Sequence, residues 1–582
     1  MQASVIPRFS LSETKVTERY TNMNMNMATN LSNSFIQKET SERRISQRQT
    51  SQRQTVQKEV PEISFASSLR SKKNIRLLET AILSYITICT LWFSLNTIVI
   101  VWQQVLKTPF KSFPFLLRAI GVLLIAAEII LVSPRKRAPH RFLLYGICLC
   151  ALISSIIQIK YGFRKNFQTI LQMLILFSLF YGSSYALPQK RLRRYMAFFY
   201  GLFAVVWFAA CSLSLIQYVI QLISEDPGTY SIFWIKGTGF VNHRLTGIFT
   251  YPEYGSVPGV MLMMAGLQFF LKTERIRLRV LLVILNLPVY LYLVLCGSRN
   301  AALAFFAAVF IGAFLLSFKY CSHFSGKGIK FSLILALAVL LGSVCFFTVT
   351  KQVAEFVSVR IVTNKDEINK DNEEVKLPAG VNKDTDRTPV FAVSFHNAGK
   401  LPSVSKSSRS DEEDNDSGML RRTYRDGDFT TGRLKIWRNY FRLWKEIGLF
   451  GLSPENTGYY VQEHHPKMYI VTTPERLTPA ESRAGYVFHP HNGYIKVYSS
   501  AGFIGLFLMI GFFSAVISRS ILWIRRNSTL SLEFICTLLV LIAGASSALF
   551  DMELFFVNNP PTFLFWLYMS FLFKITAAPA KR

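Results

Sequence analysis

Long apolar segments that alternate with short basic loops constrain this chain more than any other feature of its sequence. About twelve such segments occur, and each is nearly free of charge. Their length, roughly 20 residues, lets a helix cross the ~30 Å hydrocarbon core of a bilayer. They cover approximately 77–101, 113–132, 142–159, 166–187, 196–223, 254–271, 280–297, 301–318, 331–350, 494–517, 531–550 and 562–577. The pattern predicts an all-α polytopic membrane protein with about twelve transmembrane helices.

The basic residues predict how these helices are oriented. The net charge of +30 could indicate nucleic-acid binding, but Lys and Arg concentrate in alternate loops and in the tails. Basic clusters of the same parity occur at 135–141, 190–194, 272–279, 319–330 and 519–526. By the positive-inside rule, these loops and both termini are cytoplasmic, and the long loop 351–493 is extracytoplasmic. We therefore expect a multi-pass protein of the cytoplasmic (inner) membrane, with membrane lipids and no nucleic acid as partners.

Composition divides the chain into four regions. Residues 1–75 are rich in Ser, Gln, Thr and Arg and are predicted to form a disordered cytoplasmic tail. Transmembrane helices 1–9 occupy 76–350, and the extracytoplasmic loop occupies 351–493. Helices 10–12 and a short cytoplasmic tail occupy 494–582. Within the loop, the charged stretch 365–417 contains Gly, Pro and Ser and is predicted to be a mobile insertion.

After the insertion, the loop is predicted to contain an amphipathic helix. Thr430 or Thr431 can cap a helix that begins at Arg433, and Gly448 can end it. Its apolar residues recur every three or four positions, at Leu434, Trp437, Phe441 and Trp444, and basic residues occupy other faces. Such a helix can lie along the outer leaflet or pack over the transmembrane helices, and the two arrangements are compatible.

The turn between this loop and the tenth apolar segment carries candidate catalytic side chains. It reads Phe488-His489-Pro490-His491-Asn492-Gly493. Histidine accepts a proton near neutral pH, and at this boundary it can meet both a lipid-linked substrate and a water-soluble acceptor. On position alone, an interfacial histidine without chemistry is the alternative. A second pair, His396-Asn397, is followed by no apolar helix and is set aside.

Three arginines lie on the predicted outer side, where arginine is disfavoured. Arg244 precedes the sixth apolar segment, Arg299 lies just before the eighth, and Arg433 heads the amphipathic helix. A guanidinium binds phosphate through two parallel charge-assisted hydrogen bonds. One such arginine is more often a head-group contact or a helix cap, but three on the same side as His491 indicate a diphosphate site.

These residues resemble the O-antigen ligase and O-antigen polymerase superfamily, the bacterial membrane glycosyltransferases that use undecaprenyl-diphosphate-linked glycans. The motifs that carry the resemblance occur in the family's order: Arg244-Leu245-Thr246-Gly247 with Pro252, Gly297-Ser298-Arg299, Thr431-Gly432-Arg433 with Trp437, Gly448-Leu449-Phe450-Gly451-Leu452-Ser453-Pro454 with Asn456, and His491-Asn492-Gly493 with Gly502 and Gly505. Glu253 departs from the family pattern, which often has Asn after the proline. The resemblance implies a GT-C-like helical fold that needs neither metal nor cofactor. By position, His491 would be the base, Arg299 and Arg433 would bind the donor diphosphate, and Arg244 would be a third such arginine.

The reaction that the resemblance implies is an inverting glycosyl transfer. His491 would remove the acceptor proton while the acceptor oxygen attacks the anomeric carbon of a glycan on undecaprenyl diphosphate. Asn492 would either orient the imidazole or cap the next helix, and His489 would support the base. The acceptor stays open: a lipid-linked core sugar (ligase), the end of a growing glycan chain (polymerase) or a protein hydroxyl (O-oligosaccharyltransferase).

Two other classes of function compete with this interpretation. A metal-dependent transferase would use Asp426-Gly427-Asp428, or Glu463-His464-His465 with His489, although Asp-Gly-Asp is typical of turns. A lipid-glycan flippase or other transporter would need ionisable groups near the membrane midplane, for which Arg118 and Glu128 are the best candidates. Both lie close enough to a helix end to reach the interface. The sequence favours the His-based, metal-independent glycosyltransferase.

Overall fold

The structure is a computed structural model of the chain. It describes residues 71–98, 112–132, 138–223, 239–241, 244–321, 328–374, 433–472, 489–527 and 530–577. The chain divides into two units, Met1–Ile75 and Arg76–Arg582. Apart from residues 71–75, the predicted cytoplasmic tail lies outside the described residues. The second unit contains the helices and the candidate site.

Helices dominate the described chain, which confirms the predicted all-α polytopic class. The apolar helices are α1 (Lys72–Leu95), α2 (Phe113–Leu131), α3 (Arg141–Ile157), α4 (Arg164–Ile175, continued by a π-helical stretch Leu176–Ser183 and by Ser184–Ala186), α5 (Gln189–Ile223), α6 (Pro252–Lys272), α7 (Ile276–Leu295), α8 (Arg299–Cys321), α9 (Gly328–Glu374), α14 (Gly493–Arg526), α15 (Leu532–Ser547) and α16 (Pro560–Ala577). The outer loop contributes α10 (Arg433–Arg442), α11 (Trp444–Ile447), α12 (Thr457–His464) and α13 (Tyr469–Thr472). A short antiparallel pair, β1 (Gly239–Val241) and β2 (Arg244–Gly247), precedes α6.

Each of the twelve predicted apolar segments coincides with one of these helices. Within the described ranges, nine helices are long and apolar enough to cross a membrane, and α3 and α15 are shorter apolar helices. Helix α16 is buried on every side from Pro560 to Phe573, as expected of a helix that is apolar all round. Its Trp566 packs edge-on against Phe177 at 4.7 Å between ring centroids and lies 5.7 Å from Phe512 of α14. Helix α16 therefore forms the centre of the bundle.

Helix α9 lies at the edge of the bundle and continues past the predicted end of the ninth apolar segment. Its apolar side chains Ile334, Leu341 and Phe346 are exposed, as expected for contact with lipid. The helix continues to Glu374, so it extends beyond the predicted loop start at 351 and includes residues 365–374 of the predicted mobile insertion. The hydropathy change marks where the chain leaves the membrane, whereas the polar residues that follow still favour a helix. Residues 375–417 lie outside the described residues.

The outer-loop helix begins at Arg433 as predicted and is interrupted at Leu443, and Gly448 ends its second part with φ +53°. Tyr440, Leu443 and Ile447 are buried, whereas Leu434, Phe441 and Trp444 are more than half exposed. One side of α10–α11 therefore packs over the bundle, and another presents apolar side chains outward. Packing over the bundle is therefore observed, and contact of this segment with the outer leaflet stays a prediction.

A buried ion pair joins α2 to α3. Glu128, one of the two residues proposed for a transporter, is 0% exposed. Arg141 donates hydrogen bonds from Nη1 and Nη2 to the two carboxylate oxygens of Glu128, at 3.0 and 3.3 Å. The parallel arrangement satisfies both charges inside the protein. The buried carboxylate therefore has a structural partner and no need of a transported ion.

We expect Glu128→Ala to lower stability by roughly 3–5 kcal/mol, because it leaves the Arg141 charge buried without a partner. The double variant Glu128→Gln/Arg141→Met, which removes both charges at similar volume, should regain most of that loss. The measurement is unfolding of the purified protein in detergent, followed by circular dichroism. Equal stability of Glu128→Ala and the wild type would contradict the structural role.

Candidate active site

The turn His489–Asn492 leads into α14, and Asn492 fixes it there. The Asn492 side-chain oxygen accepts hydrogen bonds from the backbone N–H groups of Tyr494 and Ile495, both at 2.9 Å. Its amide group donates to the carbonyl of Leu549 at 2.8 Å. Asn492 therefore caps the helix, one of its two predicted roles, and also ties the turn to the segment that follows α15.

The same turn contacts the outer-loop helix and the segment before α16. Trp437 donates from Nε1 to the carbonyl of Pro490 at 2.9 Å. The Gly493 N–H donates to the carbonyl of Ala548 at 2.7 Å. A Cβ at position 493 would lie 2.3 Å from the carbonyl oxygen of Glu553, so only glycine fits. Backbone contacts on both sides thus hold His491 in place.

His491 itself combines a constrained backbone with an accessible side chain. Its φ is +45°, in the left-handed region that non-glycine residues seldom adopt and that is frequent at functional sites. The side chain is 47% exposed, and its Nδ1 lies 3.9 Å from Oδ1 of Asp551. This distance is beyond a hydrogen bond but within the range of ion pairing. The imidazole is therefore both open to a substrate and close to a carboxylate.

His489 is a different kind of histidine. Burial, together with the nearby Lys496 and His491, lowers the pKa of its imidazole to about 3, although Asp551 acts in the opposite direction. The ring is therefore neutral at physiological pH. The neutral imidazole of His489 suits the predicted supporting role better than the role of a second general base.

Arg433, the first residue of α10, lies where the charged groups of the site converge. Burial lowers the pKa of its guanidinium, the carboxylates of Asp551 and Glu253 raise it, and the neighbouring Arg244 and Arg299 lower it again. All four side chains are therefore within electrostatic reach of Arg433. Two of the predicted arginines and the carboxylate next to His491 thus lie around the third predicted arginine, Arg433.

Arg244 is already engaged within the protein. Its Nε donates to the carbonyl of Cys296 at 3.0 Å, and its Nη2 donates to Oε1 of Glu253 at 2.8 Å. Burial opposes the charge on this guanidinium, but the Glu253 carboxylate outweighs it, so the pKa of Arg244 is raised. Glu253, the residue that departs from the family pattern, is thus the partner of Arg244. This ion pair joins β2 to the start of α6.

Arg299 begins α8 two residues after Gly297, which contacts Arg244. The preceding Gly297 has φ +59°, and a Cβ there would lie 3.5 Å from Cγ of Arg244. The next residue, Asn300, donates from Nδ2 to Oγ of Ser547 at 2.9 Å, which ties the start of α8 to the end of α15. Arg299 therefore lies at a rigid corner between two helix ends.

The segment 551–559 belongs to the site and was not predicted from the sequence. Glu553 is fully buried, and burial raises the pKa of its carboxyl well above the usual range, with the charges of Asp551 and Glu253 adding to the effect. Leu554 and Phe556 have positive φ values of 72° and 55°. The sequence did contain a signal for this segment: Asp551 and Glu553 directly follow the apolar segment 531–550, on the predicted outer side.

Two motif glycines hold the outer loop against α14. Gly502 has φ +70°, and a Cβ there would lie 2.2 Å from the carbonyl oxygen of Leu449. Gly451 has φ +89°, and a Cβ there would lie 2.6 Å from the carbonyl carbon of Ser500. Each backbone approaches the other too closely for any side chain. The loop that follows α11 therefore crosses directly over the kink in α14.

The residues proposed for a metal site have other partners. Glu463 pairs with Lys160 at 3.0 Å, and His465 lies 3.4 Å from Glu446. Within the part of the chain that the structure describes, no group of three His, Cys, Asp or Glu side chains could hold a metal ion. The motif Asp426-Gly427-Asp428 lies outside that part.

Comparison with known proteins supports the resemblance seen in the motifs. A family model described as O-antigen ligase matches residues 280–510. The matched segment includes Arg299, Arg433 and His491, and Arg244 precedes it. No curated protein and no solved structure matches the chain. The match over residues 280–510 thus agrees with the similarity of the motifs to the O-antigen ligase and polymerase superfamily.

Proposed function

We propose that this protein is an O-antigen-ligase-type glycosyltransferase. It moves a glycan from undecaprenyl diphosphate to an acceptor hydroxyl at the outer face of the cytoplasmic membrane. The observation that carries the proposal is the convergence of Arg244, Arg299 and Arg433 with Asp551, the carboxylate beside His491. A base and a cluster of guanidinium groups are what transfer from a diphosphate donor requires.

His491 is the general base of the proposed reaction. The acceptor oxygen attacks the anomeric carbon while its proton passes to the imidazole, and the bond from that carbon to the diphosphate oxygen breaks with its electron pair. Because attack and departure occur on opposite faces of the sugar, the anomeric configuration is inverted. The exposed side chain of His491 leaves room for the acceptor.

The arginines stabilise the diphosphate as it leaves. Arg299 and Arg433 provide the forked donors that match phosphate oxygens, and the N-terminus of α10 at Arg433 adds its positive dipole end. Such preorganised charge stabilises a developing anion without reorganising at the moment of reaction. Arg244 has hydrogen bonds to Glu253 and Cys296, so its main contribution is to position this corner and add to the positive field.

Asp551 is the positioning residue for His491. Its carboxylate lies on the Nδ1 side of the ring, which directs Nε2 toward the acceptor. When the imidazole becomes positively charged, the carboxylate 3.9 Å away stabilises that charge. Neighbouring Glu553, with its raised pKa, favours the neutral acid and adds little negative charge beside the diphosphate.

The test of the proposal is to delete the protein from its cell and to size the lipid-linked and attached surface glycans. Loss of attached glycan, with accumulation of long lipid-linked polymer, is the expected result for a ligase. Accumulation of single repeat units indicates a polymerase of the same superfamily. Unchanged glycans, or glycan that fails to reach the outer face as in a flippase defect, would contradict glycosyl transfer.

A further inference from the structure

A cavity of about 560 Å³ lies between α14 and α16, at the opposite end of α14 from His491. Between the kink at Gly502 and Arg519, the helix rises about 26 Å, at about 1.5 Å per residue. The cavity is therefore separated from the candidate active site by most of the membrane thickness. Nothing in the proposed transfer reaction uses it.

One face of α14 lines this cavity. Its lining residues recur at three- and four-residue spacing: Ala515, Ser518, Arg519, Leu522, Trp523 and Arg526. The neighbouring face, with Phe512, Val516 and Ser520, is buried in the bundle. Along the helix the lining begins at the apolar Ala515 and ends at the cationic Arg526, and Leu522 and Trp523 lie between Arg519 and Arg526.

Among the described residues, the two arginines of this face have no acidic partner. Arg519 donates from Nε to Oγ1 of Thr576 at 2.9 Å, and its guanidinium carbon lies 5.3 Å from the ring centroid of Phe573. Throughout the described ranges, no carboxylate forms an ion pair with Arg519 or Arg526. By contrast, Arg141, Arg191 and Arg193 each pair with a glutamate. The cavity thus holds two fixed positive charges that an anion can neutralise.

We propose that this cavity binds an anionic phospholipid. The phosphate lies between Arg519 and Arg526, and an acyl chain follows Ala515 toward the bilayer centre. Paired guanidinium groups suit phosphate, and basic pockets between transmembrane helices are typical head-group sites. Trp523, which lies between the two arginines, is the residue type that favours the membrane interface.

A lipid fits this cavity better than free phosphate because of its apolar half. Free phosphate would use only the cationic end and would leave the surface of Leu522 and Ala515 exposed. A phospholipid covers both the cationic and the apolar surface of the cavity. Its binding would hold the end of α14 that is far from the turn with His491.

The experiment uses the full-length protein, delipidated in a neutral detergent and titrated with phosphatidylglycerol in native mass spectrometry. Phosphatidylcholine serves as the zwitterionic comparison lipid. We expect phosphatidylglycerol to bind at least tenfold more tightly than phosphatidylcholine, and Arg519→Gln/Arg526→Gln to remove roughly tenfold or more of that affinity. Arg525→Gln is the matched control, because Arg525 is exposed, adjacent and outside the cavity lining.

Two further arms keep the result unambiguous. The single variant Arg526→Gln removes no described contact of the fold, so a several-fold loss of phosphatidylglycerol in a normally folded protein supports the site. Unchanged binding by the double variant, or an equal loss in Arg525→Gln, would overturn it. Displacement of the lipid by millimolar inorganic phosphate would also overturn it, since the site would then be one for free phosphate.

Discussion

His491→Ala is expected to abolish glycan transfer, with a rate reduction on the order of 10²–10⁴, the usual contribution of a general base. The fold should be unaffected, because the His491 side chain is about half exposed and its ion-pair partner is Asp551 at 3.9 Å. Since φ at this position is +45°, His491→Asn is a useful second variant. Asn tolerates the left-handed region and still removes the base. The measurement is the initial rate of transfer from undecaprenyl-diphosphate-linked glycan by the purified protein.

His464→Ala is the matched control for this result. His464 is also an outer-loop histidine, but its ring stacks on Tyr460 at 4.2 Å between ring centroids. Its Nδ1 lies 3.0 Å from the carbonyl oxygen of the same Tyr460. Its replacement should leave the transfer rate within about twofold of the wild type, since it removes no group of the proposed site. Normal turnover in His491→Ala, with circular dichroism showing an intact fold, would rule out His491 as the base.

Arg433→Lys is expected to lower kcat/KM for the lipid-linked donor by roughly 10- to 100-fold. Lysine keeps the positive charge but loses the planar fork, and a hydrogen bond to a charged group contributes about 1.5–3 kcal/mol. The loss should be seen at saturating donor as well, because the charge on the diphosphate grows as it leaves. The same change at Arg299 should have an effect of similar size.

Arg438→Lys is the control for the cluster. Arg438 lies on the same helix, α10, and is exposed to solvent. We expect its substitution to change kcat/KM by less than about twofold, as is usual for a surface arginine. If Arg433→Lys and Arg299→Lys turned over as fast as Arg438→Lys, the diphosphate assignment would fail and another anion would have to explain the cluster.

The transmembrane helices could be predicted from the sequence because each is specified locally. In lipid, a segment must satisfy its own backbone hydrogen bonds, so a charge-free run becomes a helix whatever lies beside it. The start of α10 at Arg433 and the end of α11 at Gly448 also followed from local signals. The three arginines could also be identified from the sequence, because positively charged residues are disfavoured on the predicted outer side.

The contacts among these residues could not be predicted in the same way. Asp551 lies 60 positions after His491, and only the packing of α14 against the segment between α15 and α16 brings the two together. The Arg244–Glu253 pair depends on how β2 meets the start of α6. The interruption of the outer-loop helix at Leu443 was not predicted either. Leu443 and Ile447 are buried there by tertiary packing, which the spacing of apolar residues in the sequence does not specify.

Main-chain packing at Gly451 and Gly502 fixes the position of the outer loop over α14. Two backbones touch there with no side chain between them. Substitution of another residue in 448–456 can change the side-chain contacts of the loop, but it leaves this backbone contact between the loop and α14 in place. A mutational library should therefore show that neither Gly451, in this loop, nor Gly502, in α14, tolerates any other residue.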